Sequence, residues 1–65
     1  MNTATTAPAV VFVASGDDRQ QAFACMEDAV QAAKFAPWAD GRVFRHDCRP
    51  EDFSGFAEIG GEQVL

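Results

Sequence analysis

Positive charge is scarce in this chain. Its 65 residues hold five Lys and Arg against ten Asp and Glu, a formal net charge of −5. Nucleic acid and anionic membranes are poor partners for such a body, and a basic protein surface is a better one. Cysteine is scarce too: Cys25 and Cys48 are the only two, which offers little for a disulfide scaffold. No Lys or Arg falls among the first fifteen residues, so no basic segment precedes the apolar run APAVVFVA. That run is also far too short to span a bilayer. These absences lead to the expectation of a cytoplasmic protein with both thiols reduced. The chain shows no glycine-rich phosphate cradle and no internal repeat. A length of 65 residues allows one domain at most, and a chain this short buries only about 60% of the surface exposed when unfolded. Hydrophobic residues make up 48% of it, which favours a folded globule over a disordered tail.

Residues 1–8 are small and polar and are expected to form a frayed arm, with a single domain over 9–65. AVVFVA, residues 9–14, is β-branched and aromatic and predicts a first strand. SGDD then suggests a helix start, with Ser15 and Asp18 spaced as in a capping box and Asp17 and Asp18 against the positive end of the helix dipole. From there an amphipathic pattern runs to Ala36, where Pro37 disfavours helical geometry. Ala22, Cys25, Met26, Ala29, Val30, Ala32 and Ala33 form one apolar arc, mostly alanine, which lets a helix lie close on a sheet. WADG predicts a turn, GRVFRHD a second strand and FAEIG a third, with a loop and a proline-initiated turn at CRPEDFSG between them. In the second strand Val43 and Arg45 point one way, Phe44 and His46 the other.

The expected fold is therefore α/β in the α+β sense, in the order β-α-β-β: a three-stranded, mainly antiparallel sheet of order 1-3-2, with one helix on one face. Such strands carry apolar side chains on both sides. Phe12, Phe44 and Phe56 are expected to share one face, and Val11, Val13, Val43, Ala57 and Ile59 the other. One helix covers one face, which would leave the other open. Two remedies remain: a symmetric homodimer through the open face, or cover by Trp38, the N-terminal arm or the Pro50 turn.

No catalytic or metal constellation stands out. His46 and Cys48 share a side of an extended chain, but with Cys25 they match no established zinc spacing and lack a fourth ligand. A nucleophilic cysteine would need a base and an orienting group, and Asp47 is the only local candidate. No cofactor and no metal are expected. Two groups of acids remain. Asp17 and Asp28 fall on nearly one line of the expected helix, about 16 Å apart, with Glu27 beside them; Asp47, Glu51 and Asp52 form the second group. A body about 30 Å long would need some eighteen charges to match duplex DNA, so this chain imitates a few phosphates and not a whole duplex. A solvated acidic face is the plain alternative.

Phe35 breaks the helical pattern, because it falls on the wet side with Asp28 and Gln31. An aromatic ring within an acidic rim suits a protein contact: the ring fills a pocket while carboxylates steer the approach. Alternatively the helix unwinds before Pro37, and Phe35 and Trp38 turn inward.

Taken together, the strand VVFVA, the helix DDRQQAFACMEDAVQAAKF and the strands GRVFRHD and FAEIG, in a small acidic chain, resemble the small anti-CRISPR proteins of phages and prophages. The likeness is to those that block type I effector complexes, and it lies in size, acidity and element order. It implies a non-enzymatic inhibitor that binds a basic DNA-binding surface of a Cas subunit within the bacterial host cell. On this reading Asp17, Glu27, Asp28, Asp47, Glu51 and Asp52 replace phosphates and Phe35 is the apolar anchor. The competing expectation is a cytosolic accessory or assembly protein that associates through the apolar face of Phe12, Phe44 and Phe56.

Overall fold

The computed structural model describes residues 9–65; the arm expected over residues 1–8 lies outside them. The elements follow in the order β1 (Val11–Gly16), β2 (Gln20–Phe23), α1 (Met26–Phe35), β3 (Ala39–His46), a single 3-10 turn (Pro50–Asp52) and β4 (Glu62–Gln63). The strands form one sheet of order β2-β1-β3-β4, antiparallel at every step, and α1 packs on it, which makes the fold α+β.

β1 and β3 lie where the alternating apolar runs predict them. The expected helix does not begin at SGDD. Its first part is β2, joined to β1 by a turn at Asp17–Arg19, with Phe12 opposite Phe23 and Val13 opposite Ala22. Two physical causes decide this. A helix from Asp17 to Ala36 would be about 30 Å long, against about 20 Å for a six-residue strand, so its first turns would overhang the sheet. As a strand, the same residues send Ala22 to one core and Phe23 to the other. The helix starts instead after Cys25, an extended N-cap with no side-chain cap hydrogen bond, and Cys25 is exposed rather than packed.

The 1-3-2 order is corrected as well. Because the β1–β2 hairpin reverses the chain before α1, β3 returns antiparallel to β1 and pairs with it directly, with Val13 opposite Phe44 and Ala14 opposite Val43. FAEIG is not a strand: Ile59 N–H donates to Phe56 O at 3.1 Å and closes a tight turn. The last strand is the short β4, extended by Val43 N–H to Leu65 O (3.0 Å) and Val64 N–H to Val43 O (2.9 Å).

Two small cores flank the sheet. Ala14 and Val43 meet Ala29 and Ala33 of α1, with Phe12, Phe23, Val30 and Trp38 at the margin. On the opposite face Val11, Val13 and Phe44 meet Ala57, with Phe53 and Cys48 beside them. Phe12 and Phe44 thus lie on opposite faces, and Phe56 stands outside the sheet, 66% exposed. The expected shared face of the three phenylalanines does not form, and the second face is not left open. Residues 47–61 cross it as a strap, which is the cover by the Pro50 segment that the sequence left open. The argument for a dimer through that face loses its basis.

Polar groups hold the strap. The Gln20 side-chain amide donates to Gly55 O (2.5 Å) and accepts from Ala57 N–H (2.7 Å), so one side chain replaces two strand-like bonds. The His46 Nε2 donates to Ala57 O at 2.8 Å, since a carbonyl can only accept, and its ring meets Phe53 edge-on at 4.8 Å. A Cβ at Gly61 would stand 2.5 Å from His46 Nε2, so this position needs glycine. Gln20→Ala removes both amide bonds and leaves the Ala57 N–H short of a partner. Its expected cost is about 1–3 kcal/mol, with faster hydrogen exchange at Ala57 and little change in β1 or β3 amides, measured by NMR.

Candidate functional site

The outer side of α1 is where the sequence placed a contact. Ala29 and Ala33 face the sheet. Phe35 lies seven residues beyond Asp28, nearly two full turns, so the two share the outer face. Glu27, Asp28, Gln31, Lys34 and Phe35 are all exposed, Phe35 at 76%. Trp38 turns inward onto the helix-side core and carries the Arg19 guanidinium 4.9 Å from its ring centroid. The unwinding expected before Pro37 therefore draws in the tryptophan and leaves Phe35 in solvent. The ring stands between two shallow hollows: one runs along Met26, Glu27, Val30 and Lys34, the other along Phe23, Asp28, Ala32 and Ala36.

The acids divide by pairing. Asp47 meets Arg45 at 3.1 Å, Glu62 meets Arg45 at 3.1 Å and Glu51 meets Arg49 at 3.7 Å. Arg42 takes Asp40 at 2.8 Å and Glu58 at 3.6 Å. The Arg42 hydrogen bond holds the Asp40 carboxyl below the usual aspartate range, and Asp40 in turn raises Arg42. Among the described residues, Asp17, Asp18, Glu27, Asp28 and Asp52 enter no salt bridge. Of the second group named from sequence, Asp47 and Glu51 are thus locally compensated. Of the first, Glu27 and Asp28 are uncompensated in the opening turn of α1, where the helix dipole favours them.

The structure does not bring all the named residues together. Asp17 is not on α1 but in the β1–β2 turn, so the common helix line with Asp28 does not exist. That turn lies at the end of the sheet where β3 begins, since Gly16 pairs with Ala39. The C-terminal end of α1, with Phe35, lies at the same end. Glu27 and Asp28 lie at the other end of the helix, about 15 Å long. Asp47, Glu51 and Asp52 belong to the strap, across the sheet from α1. Sequence reasoning gave Asp18 to a helix start and Phe56 to a sheet face, and missed that both line a hollow with Asp17, Arg19 and Glu58 beside the β1–β2 turn. Reading G-D-D as a hairpin turn was the signal that could have found them.

No cluster of three or more His, Cys, Asp or Glu suited to a metal occurs among the described residues. His46 faces the strap while Cys25 opens α1, and the imidazole already serves Ala57. No helix among the described residues is long and apolar enough to cross a membrane. Comparison with known proteins finds no matching family model, no matching curated protein and no matching solved structure.

Proposed function

We propose that this chain is a non-enzymatic binding module that occupies a basic, nucleic-acid-binding surface of another protein. The observation that carries the reading is the outer face of α1: an aromatic ring 76% exposed, on the same face as carboxylates that have no cation partner among the described residues. A ring of that size in water is an anchor in want of a pocket, and uncompensated carboxylates keep their full charge for Lys and Arg across an interface. The net charge of −5 sets the same preference at long range. In the anti-CRISPR-like form of this reading, the surface occupied is the part of a type I Cas subunit that holds target DNA. Asp17 is kept as a secondary contact. The strap acids Asp47 and Glu51 contribute less, because their charge is already shared with Arg45 and Arg49.

The test is competition. The immobilised chain is offered a bacterial lysate, and the captured proteins are challenged with duplex DNA. The reading expects a DNA-binding protein that duplex DNA displaces, with affinity falling as salt rises, because exposed charges are screened within about 8 Å at physiological ionic strength. Capture indifferent to both DNA and salt would remove it in favour of an apolar contact.

A further inference from the structure

β2 is an edge strand of the sheet, and the direction of its backbone groups follows from the ladder. Val43 N–H and C=O both bond to the β4 side, to Leu65 and Val64. Val43 therefore turns its backbone away from Ala14, its partner in β1, and Ala14 turns its own toward β2. Gln21 lies opposite Ala14 and Phe23 opposite Phe12, so these two face β1. Gln20 and Ala22 must then direct their N–H and C=O groups outward. No other backbone group among the described residues bonds to them. Edge strands are commonly blunted by lysine, proline, a bulge or a covering loop. The sequence QQAF has no charge or proline, and the bulge lies between β1 and β3. The strap reaches β2 through the Gln20 side chain, with no backbone bond from the strap to this edge.

A hollow flanks this edge on each face of the sheet. The helix side offers Phe23, Ala32 and Phe35, with Asp28 at the rim. The strap side offers Asp17 and Asp18 beside the Phe56 ring. Glu58 there is already shared with Arg42, and Arg19, which also lines this hollow, has its guanidinium over the Trp38 ring. A strand added to β2 sends successive side chains to opposite faces. We infer that β2 is a docking edge for an extended segment of a partner, in which apolar residues alternate with Lys or Arg. Its apolar side chains enter the helix-side hollow against Phe23 and Phe35, and its cations enter the strap-side hollow against the carboxylates and the Phe56 ring. This rests on the reading of the chain as a protein-binding module and adds how the partner is held. A second copy is the wrong occupant. Antiparallel pairing of β2 with β2 would bring Asp17 and Asp18 of each copy to the Glu27 and Asp28 end of the other, carboxylate against carboxylate.

The probe is a blocked peptide alternating lysine and valine over about six residues, the reach of a short strand. It is titrated against the full chain at low salt and followed by NMR. The expected result is slowed exchange at the Ala22 amide, with shifts at Phe23, Phe35 and Phe56. A peptide of the same composition with lysines and valines in separate blocks should bind about tenfold more weakly or worse. Ala22→Pro should abolish docking, since proline is tolerated on an edge strand where its missing N–H faced outward. N-methylation of alternate peptide amides should do the same without touching the protein's fold. Equal affinity for the alternating and block peptides, or undiminished binding of the N-methylated one, would overturn the proposal. The peptide is a defined probe, so its failure to dock sinks the edge proposal alone; DNA-insensitive capture sinks the functional reading alone.

Discussion

Gly16→Ala is expected to lower the midpoint of thermal unfolding by about 10 °C or more. Gly16 ends β1 at a bulge, opposite Ala39, where the chain leaving α1 crosses close to the sheet. A Cβ there would collide with the Trp38 carbonyl oxygen and stand 2.9 Å from that of Arg19 and 3.0 Å from the Trp38 ring. Two of these three atoms are backbone, so no side-chain rotation relieves the clash. Overpacking of this kind costs about 1–3 kcal/mol and sometimes more. A 65-residue domain has a total stability of about 3–10 kcal/mol, so the loss is a large fraction of it. The same contact sets the β1–β2 turn against Trp38 and Arg19, so the damage should spread to the sheet end that carries Asp17 and Phe35. Circular dichroism melts of the wild type and the variant check this. An unchanged midpoint would mean that Gly16 is not tightly confined.

Phe35→Ala is expected to weaken partner binding about thirtyfold or more while leaving the unfolding midpoint nearly unchanged. The separation follows from exposure. A ring 76% in solvent contributes little to the core, whereas truncating an aromatic anchor at an interface commonly has an effect of this size. Reversing Glu27 and Asp28 to Lys should act on the same complex by a different route, slowing association and placing cations against a cationic surface. That double variant also opposes the helix dipole, so its fold needs checking by circular dichroism before its binding is read. Titration calorimetry against the captured partner measures both. If Phe35→Ala binds as the wild type does, the ring is not an anchor.

The legible parts of this fold are those where one periodicity ruled. Within each strand the alternation held, Val11 and Val13 against Ala14 in β1 and Phe44 against Val43 in β3. The matching of faces across the strands was not legible: Phe44 lies with Val11 and Val13, and Val43, expected beside them, lies with Ala14. Ala29 and Ala33 announced the buried side of α1, and the same helical phase put Phe35 in solvent. The failures lie where two periods overlapped. Ala22, Met26, Ala29 and Ala33 fit a helical spacing, so QQAF was absorbed into the helix, although the pairing of Phe23 with Phe12 makes it a strand. FAEIG alternates like a strand, yet only Ala57 points inward, and its neighbours Phe56 and Ile59 are exposed. The strap was hardest to see because polar atoms of Gln20 and His46 fasten it, and these leave no pattern in hydropathy. The candidate surface was half legible for a similar reason. Exposure of Glu27, Asp28 and Phe35 follows from phase along one element. The compensation of Asp47 and Glu51, and the removal of Asp17 from the helix, depend on which turns and strands form.

The central claim is that the uncompensated carboxylates of α1 make ionic contacts with a cationic partner surface. The salt dependence of affinity tests it most directly, compared between the wild-type chain and the neutral double variant Glu27→Gln with Asp28→Asn. The account predicts that wild-type affinity falls steeply as salt rises, and that the variant binds more weakly at low salt with a clearly shallower slope, the two curves converging at high salt. Parallel curves, with the same slope for both chains, would contradict it.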